Sequence, residues 1–348
     1  MSRVLIVTDA WRPQINGVVR TLERLSEELV KLGEEVEFLT PADFRTLPCP
    51  TYPEIRLSLT RQKTVARRIA EIAPDYIHIA TEGPLGLIAR RIALKTGRGY
   101  TTSYHTRFPE YLRARLPVPL AWSYAWLRRF HNSAAGCLVA TESLRAELTA
   151  KRFKNLLIWS RGVDTDKFHP REGRPLDLPR PVFLHVGRVA VEKNLEAFLK
   201  LDLPGSKLVV GGGPQLDELK VKYPDVTFTG AKTGEELYAL YSMGDVFVFP
   251  SLTDTFGNVV VEALASGVPV AAFPVTGPLD IIGDSGAGRL GWDLRQAAID
   301  CLALSRETAR AHALTFSWEA SARQFMECLR SAQGVRDQRA DAVLAKGG

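Results

Sequence analysis

Short apolar runs alternate with helical patterns through the first half of the chain. The strand-like runs occupy residues 4–7, 36–39, 76–79, 100–104, 137–139 and 156–159. Between them, residues 18–32, 64–72 and 83–96 repeat apolar side chains with the period of a helix. Strands that alternate with helices in this way are typical of βαβ units, so the pattern predicts an α/β fold with a parallel sheet.

The same alternation begins again after a polar, proline-rich segment at residues 161–181. Its strand-like runs are 182–186, 207–210, 226–228, 246–249 and 268–273, and residues 283–289 are predicted as a loop. We therefore predict two doubly wound domains, at residues 1–165 and 166–318, with a ligand cleft at the carboxyl ends of both sheets. Residues 319–348 are predicted as a helix that packs back on the first domain and gives way to a polar tail from Gln333.

The composition is that of a globular protein and argues against several other classes. The 348 residues are 45% apolar and 24% charged, close to ordinary values. A membrane-spanning helix needs roughly 18 consecutive apolar residues, and no such run occurs. The first strand is too short for the apolar region of a signal peptide. The four cysteines lack metal-ligand spacing, so we expect reduced thiols in a cytoplasmic protein.

Charge is distributed unevenly between the two predicted domains. Residues 1–165 contain 25 Lys and Arg against 16 Asp and Glu, whereas the remainder contains 20 against 23. A basic first domain indicates an anionic surface or substrate, although a solvated basic face that only aids solubility gives the same counts. The basic residues come with no recognisable nucleic-acid motif, so a nucleic-acid partner is disfavoured.

Two acids, Asp254 and Glu262, flank a loop and a helix start in residues 250–270. The free N–H groups and the dipole at a helix N-terminus favour an anionic ligand. A carboxylate on the helix can accept both hydroxyls of a ribose, and the loop acid can hold hydroxyls of a sugar. Alternatively, Asp254 is a turn or capping residue and Glu262 is an exposed helix charge.

Two cations follow the first strand of the second domain, in residues 187–194. Arg188 and Lys193 leave a loop that begins at Gly187, so both side chains can reach a diphosphate. They would stabilise a departing nucleoside diphosphate as negative charge develops on it. The alternative is that either cation only pairs with Glu192 on the surface.

The first domain contains weaker candidates. Gly17 follows the first strand and lets the backbone approach a phosphate, although Asn-Gly is also an ordinary turn. His105 follows a strand at the sheet edge where ligands bind, but it could equally be a packed or surface histidine. Asp164 and Asp166 have no neighbouring ligands, so we predict no metal site there.

In combination these segments resemble the retaining glycosyltransferases of family 4, which have the GT-B fold. The similarity extends over nearly the whole chain, to residues 316–321. The family's Gly-Arg-x-x-x-Glu-Lys-Asn element is matched by residues 187–194, and its pair of acids eight positions apart is matched by Asp254 and Glu262. Asp254 is shorter than the usual Glu, and we expect donor-sugar selectivity to be decided there.

The resemblance implies a role for each matching residue. Arg188 and Lys193 would bind the donor diphosphate, and Glu262 would bind the ribose. The remaining implied contacts with the sugar and diphosphate are Gly17, His105, Gly187, Asp254, Gly257, Asn258 and Val259. No enzymic nucleophile, metal or cofactor is implied.

The amino-acid sequences of residues 16–21, 103–106 and 253–258 look most like those of the family branch that glycosylates lipids such as diacylglycerol. This branch has sulfoquinovosyl-, glucosyl- and mannosyl-transferring members. Residues 111–130 interleave arginines and aromatic residues in a way that suits an anionic membrane interface. The candidate membrane residues are Arg113, Arg115, Trp122, Trp126, Arg128 and Arg129. A core-packed helix with solvated arginines is the alternative.

The resemblance thus implies transfer of a hexose, with a UDP-sugar such as UDP-glucose favoured, to a membrane lipid acceptor. The first domain would hold the acceptor and the second the donor, and the protein would associate peripherally with the inner face of the membrane. Alternatives are a GDP-mannose-dependent mannosyltransferase, a sugar-nucleotide epimerase and a non-catalytic binding module.

Overall fold

The computed structural model describes residues 1–14, 17–49, 52–113 and 118–344. The chain divides into two compact units. The first comprises Met1–Pro109, Val118–Ser160 and Trp318–Gly348, and the second comprises Glu110–Pro117 and Arg161–Ser317. Each unit contains one six-stranded sheet in which all strands are parallel.

The first unit has a parallel sheet and a separate hairpin. Its strands are β1 (Arg3–Val7), β2 (Glu35–Leu39), β3 (Arg45–Cys49), β4 (Tyr52–Leu59), β5 (Tyr76–Ile79), β6 (Thr101–Ser103), β7 (Gly136–Val139) and β8 (Leu156–Ile158). The sheet order is β2-β1-β5-β6-β7-β8, and β3 pairs with β4 as an antiparallel hairpin. The sequence patterns predicted the sheet strands but not the hairpin.

Helices cover the sheet of the first unit. They are α1 (Gly17–Lys31), α2 (Gln62–Ile72), α3 (Pro84–Lys95), α5 (Leu120–His131), α6 (Glu142–Ala150) and, from the end of the chain, α14 (Trp318–Leu344). Helix α4 (Phe108–Arg113) begins in the first unit and passes into the second at Glu110. Helix α14 lies on this unit, where the Trp159 indole donates to the Ser321 hydroxyl at 3.1 Å and packs against Phe325.

The polar tail predicted from Gln333 is wrong, because α14 continues to Leu344. Charged and polar side chains make up half of residues 335–344, but Ala, Arg, Gln and Leu are all good helix formers. Charged residues interrupt the sequence signal for a buried face without ending a helix.

A buried carboxylate joins the first strand to α3. Asp9, just after β1, accepts hydrogen bonds from the backbone N–H groups of Leu85 (2.9 Å) and Gly86 (3.2 Å) and from the Thr81 hydroxyl. Burial raises the pKa of Asp9 despite these donors. A Cβ at Gly83 would lie 2.4 Å from the Asp9 carboxyl carbon, so this approach requires glycine. Asp9 therefore caps α3 from a neighbouring strand.

The second unit has the strand order of a dinucleotide-binding domain. Its strands are β9 (Val182–Val186), β10 (Ser206–Val210), β11 (Thr227–Gly230), β12 (Val246–Phe249), β13 (Val270–Ala272) and β14 (Gly288–Leu290). Their order, β11-β10-β9-β12-β13-β14, reverses direction between β9 and β12. Open α/β sheets bind ligands at the carboxyl ends of the strands at such a switch point.

The helices of the second unit lie between these strands in the chain. They are α7 (Glu196–Leu199), α8 (Leu216–Lys222), α9 (Gly234–Met243), α10 (Asn258–Ala265), α11 (Pro278–Ile282), α12 (Leu294–Cys301) and α13 (Arg306–Ala313). Every residue of β9 and β12 is buried, as expected for parallel strands covered on both faces.

The loop predicted at residues 283–289 is partly wrong, because β14 begins at Gly288 and pairs with β13. A three-residue strand at a sheet edge that begins with glycine gives no apolar run or alternation, so the sequence pattern does not reveal it.

The cap on α3 yields a stability prediction. Asp9→Ala removes the acceptor of two buried N–H groups and should lower the free energy of unfolding by about 3 kcal/mol, measured by urea denaturation. The matched control is Asp75→Ala, because Asp75 is exposed and its carboxylate accepts a hydrogen bond from the N–H of Arg3 at the surface. Equal effects of the two substitutions would contradict the capping role.

Candidate active site

Two loops meet at the carboxyl ends of β9 and β12. The first, residues 187–194, follows β9, and the second, residues 250–257, follows β12. The Asn194 side-chain amide donates to the Pro250 carbonyl at 3.0 Å, and the Thr253 hydroxyl donates to the Glu192 carbonyl at 3.2 Å. The two motifs singled out in the sequence thus form one surface.

Glycines allow the loop after β10 to lie directly against the loop after β9. A Cβ at Gly211 would lie 1.8 Å from the Gly187 carbonyl oxygen, and one at Gly213 would lie 2.3 Å from that of Val189. The Val189 N–H donates to the Gly212 carbonyl at 2.9 Å. This backbone packing fixes the base of the exposed Arg188 side chain.

An ion pair joins the two loops. The Lys193 ammonium lies 2.5 Å from the Asp254 carboxylate, and the two side chains are only 21% and 17% exposed. Burial by itself would raise the pKa of Asp254, but the Lys193 ammonium outweighs it and holds that pKa below its ordinary value. Lys193 therefore pairs with Asp254 and joins the loop after β9 to the loop after β12.

A buried histidine lies beneath this ion pair. His185 on β9 is 1% exposed, and its Nδ1 donates to the Val248 carbonyl at 3.0 Å, since a carbonyl only accepts. Its Nε2 faces the start of the loop, 3.1 Å from the position of a Cβ at Gly187. Burial, with a smaller contribution from Lys193, lowers the pKa of His185 to about 4, so the ring is neutral near pH 7.

Glu262 is held by a tyrosine from another helix. It occupies the second turn of α10, half-buried, and its Oε2 accepts a 2.6 Å hydrogen bond from the Tyr241 hydroxyl of α9. Helix α10 begins at Asn258, followed by Val259, and its N-cap Gly257 has φ 98°, which favours glycine. The first turn of α10 thus presents N–H groups beside a positioned carboxylate.

The candidate residues of the first unit lie at the edge of its own sheet. Gly17 is the exposed first residue of α1, and the residues just before it, 15 and 16, lie outside the described residues. His105 is half-buried two positions after β6, and its ring lies edge-on to Trp159 with centroids 5.9 Å apart. The bidentate contact of Arg107 with Glu147, at 2.6 and 2.8 Å, anchors the same loop.

Helix α5 has one packed face and one exposed aromatic face. Tyr124, Leu127 and Phe130 are buried, whereas Trp122 is 73% exposed and Trp126 40% exposed. The buried face agrees with a core-packed helix, whereas Trp122 and Trp126 lie at the surface of the unit, and the membrane role stays a prediction.

The arginines predicted around α5 differ in exposure. Arg113 and Arg129 are exposed, and Arg128 is half-buried, with a guanidinium nitrogen 3.4 Å from the Lys151 carbonyl oxygen. Arg115 lies outside the described residues. A cavity of 310 Å³ beside the helix is lined by Leu87, Arg90, Arg91, Trp126, Arg129 and Phe130.

Within the described residues, no cluster of His, Cys, Asp and Glu has the geometry of a metal site, and Asp164 pairs with Lys167 at 2.9 Å. No helix in that part of the chain is long and apolar enough to cross a membrane.

Sequence reasoning missed His185 and Tyr241. His185 is one polar residue inside an otherwise apolar strand, and Tyr241 is one of several aromatic residues in an apolar helix. The sequence around these two residues does not indicate their roles. Those roles depend on contacts with residues that are 63 positions away for His185 and 21 positions away for Tyr241.

A switch-point surface with two basic residues and two acids is typical of a nucleotide-binding α/β enzyme, and comparison with known families identifies the class of enzyme. The Glycosyltransferase Family 4 profile matches residues 15–167, and the Glycosyl transferases group 1 profile matches residues 180–304. The chain belongs to the family 4 glycosyltransferases.

Three relatives illustrate the range of the family. A GDP-mannose-dependent alpha-mannosyltransferase of Mycolicibacterium smegmatis is 31% identical over 320 residues, covering 83% of this chain and 84% of that enzyme. Sulfoquinovosyl transferase SQD2 of Arabidopsis thaliana is 31% identical over 318 residues, covering 80% of this chain but only 60% of that protein. Alpha-monoglucosyldiacylglycerol synthase of Streptococcus pneumoniae is 27% identical over 345 residues, covering 86% of this chain and 78% of that enzyme.

Solved structures confirm the predicted GT-B fold. Sucrose-phosphate synthase of Thermosynechococcus elongatus has a TM-score of 0.73 at 20% identity, covering 96% of this chain and 100% of that one. Anabaena HepE, solved in complex with UDP and glucose, has a TM-score of 0.71 at 15% identity, covering 95% of this chain and 100% of that one.

The buried His185 predicts a pH dependence of stability. Its folded-state pKa of about 4 lies below the ordinary 6.5, so the unfolded chain binds the proton first. Stability from this group is complete above pH 6.5 and declines as the pH falls towards 4, by about 3 kcal/mol in total. His185→Asn retains a donor for the Val248 carbonyl but cannot titrate, so its loss of unfolding free energy over this range should be smaller by that amount. Parallel pH profiles of the wild type and the variant would contradict this account.

Proposed function

We propose that the chain transfers a hexose from a nucleoside diphosphate sugar, with a UDP-sugar favoured, to a membrane lipid such as diacylglycerol, with retention of anomeric configuration. The observation that carries the donor half is the joining of two loops at the switch point between β9 and β12, with Lys193 and Asp254 in contact. The acceptor half is supported by the exposed aromatic face of α5 and by the relative named alpha-monoglucosyldiacylglycerol synthase.

Donor binding is assigned to the second unit. The Arg188 and Lys193 side chains and the N–H groups at the start of α10 would bind the diphosphate, with Gly187 and Gly257 letting the backbone approach it. Glu262 would accept the ribose hydroxyls. The Lys193 ammonium is paired with the Asp254 carboxylate in this structure. A bound diphosphate would therefore compete with Asp254 for that ammonium.

The transfer itself would proceed without a covalent enzyme intermediate. Asp254 would hold hydroxyls of the transferred sugar. The acceptor hydroxyl attacks the anomeric carbon from the face that the diphosphate leaves, and a donor phosphate oxygen takes its proton. Arg188 and Lys193 would stabilise the negative charge of the departing diphosphate, so no divalent metal is required.

A GDP-mannose-dependent mannosyltransferase is the second candidate, because three relatives carry that name. The same Arg188, Lys193 and Glu262 contacts serve either nucleotide, since they involve the diphosphate and ribose that UDP and GDP share. The base and the sugar therefore have to be distinguished by experiment.

A donor panel tests the proposal. UDP-glucose, UDP-galactose, UDP-glucuronate and GDP-mannose are each incubated with diacylglycerol in mixed micelles, with and without EDTA, and products are analysed by chromatography. We expect transfer to the lipid from one donor, unaffected by EDTA. Transfer only to a soluble sugar would overturn the lipid acceptor, and conversion of a donor without any acceptor would identify an epimerase.

Arg188→Ala and Lys193→Ala sharpen this test. Each should lower kcat/KM by at least about 100-fold, because a charge that stabilises the leaving group is lost. Lys200→Ala is the matched control, since Lys200 is an exposed lysine of the same unit that pairs with Glu196. Near-normal turnover by both variants would exclude the donor assignment, provided that circular dichroism shows intact folding.

We further propose that the first unit attaches peripherally to the inner, anionic face of the membrane through α5. Trp122, Trp126 and Phe108 supply exposed aromatic surface, with the Phe108 and Trp126 ring centroids 6.3 Å apart. Arg91 and Arg129, at the neighbouring cavity, supply positive charge. Aromatic side chains beside arginines suit the headgroup region of a bilayer.

Vesicle co-sedimentation measures this attachment. Trp122→Ala combined with Trp126→Ala should weaken partitioning onto phosphatidylglycerol vesicles by at least about fivefold, because apolar surface no longer enters the interface. Trp292→Ala is the control, since Trp292 is 69% exposed but belongs to the second unit. Unchanged binding of the double variant would contradict the role of α5.

A further inference from the structure

We propose that Tyr241 is a positioning residue that orients Glu262 for the ribose of the donor. This inference rests on the proposed function, in which Glu262 binds the ribose. Tyr241 does not itself contact the donor in this account. Its hydroxyl donates a 2.6 Å hydrogen bond to one carboxylate oxygen, which fixes how the carboxyl plane is turned.

The tyrosine is rigidly packed. Tyr241 is 0% exposed, its ring stacks on Phe247 of β12 with centroids 6.0 Å apart, and it meets Phe168 edge-on at 5.3 Å. A side chain held by the sheet on one side and by the segment before β9 on the other has little rotational freedom. The position of its hydroxyl is therefore set by the core of the unit.

Glu262 needs such a partner because of its place in the fold. Glu262 lies in the second turn of α10 and is half-buried. Its carboxylate is at the end of a flexible side chain that has several rotamers. Two hydroxyls of a ribose can be accepted together only if both carboxylate oxygens face them in one plane. A fixed hydrogen bond to Oε2 reduces the orientations that the carboxylate samples before the donor binds, so less ordering is required during binding.

The experiment separates positioning from mere packing. Titration calorimetry measures the affinity of the wild type, Tyr241→Phe and Tyr238→Phe for UDP and GDP and for their 2′-deoxy analogues. Tyr238 is the matched control, because it lies one turn earlier on α9 and its ring also packs against Phe168, at 4.9 Å. Phenylalanine keeps the ring and removes only the hydroxyl.

We expect Tyr241→Phe to weaken binding of the preferred nucleotide about tenfold, as loss of a hydrogen bond to a charged group does. The difference in affinity between the nucleotide and its 2′-deoxy analogue should be smaller in the same variant, because a misoriented carboxylate binds the 2′-hydroxyl less well. In turnover, donor KM should rise while kcat changes little. Tyr238→Phe should match the wild type.

A Glu262→Ala background, which removes the acceptor of the Tyr241 hydroxyl, provides the second arm. If the tyrosine acts through Glu262, adding Tyr241→Phe to Glu262→Ala should change the affinity by less than about twofold. If Tyr241→Phe does not fold, Tyr241→Met, which also lacks the hydroxyl, replaces it in both arms.

The possible failures are distinct. A wild type that binds neither nucleotide, or that binds the 2′-deoxy analogues equally well, overturns the ribose assignment of Glu262 and the inference with it. The wild type and Tyr241→Phe could instead prefer the nucleotide over its 2′-deoxy analogue by the same factor. That result overturns the positioning role alone and leaves the proposed function intact.

Discussion

The functional part of the second unit depends on the reversal of strand order between β9 and β12. These two strands lie side by side in the fully buried centre of the sheet, yet 59 residues separate the end of one from the start of the other. Because both are parallel, their following loops leave the sheet at the same edge. Without that adjacency Lys193 could not reach Asp254, and the cations and acids would form no common surface.

Each acid of this surface is held by a partner from a different element. Asp254 is held by Lys193 from the loop after β9, and Glu262 is held by Tyr241 from α9. His185 beneath the loops remains neutral because it is buried, and so adds no competing charge at neutral pH. The arrangement is therefore largely formed before a donor binds, which lowers the ordering that binding requires.

The sequence predicted a large part of this organisation. The repeated strand and helix periods indicated two parallel sheets, and the motifs at residues 187–194 and 250–262 indicated two segments that the structure brings into contact. The hairpin of β3 and β4, the edge strand β14 and the end of α14 were missed, because short edge strands and polar helices carry weak periodic signals. The partnership of Tyr241 with Glu262 depends on how two helices are rotated against each other, and hydrophobic periodicity does not specify that rotation to the level of one hydroxyl.

We propose that the carboxyl ends of β9 and β12 bind the nucleoside diphosphate of a sugar donor. The most direct measurement is a crystal structure of the chain with UDP or GDP. We expect the diphosphate between Lys193 and the N-terminus of α10, with the ribose hydroxyls within hydrogen-bonding distance of Glu262. A nucleotide bound elsewhere in the chain, with Lys193 and Glu262 making no contact to it, would contradict the claim.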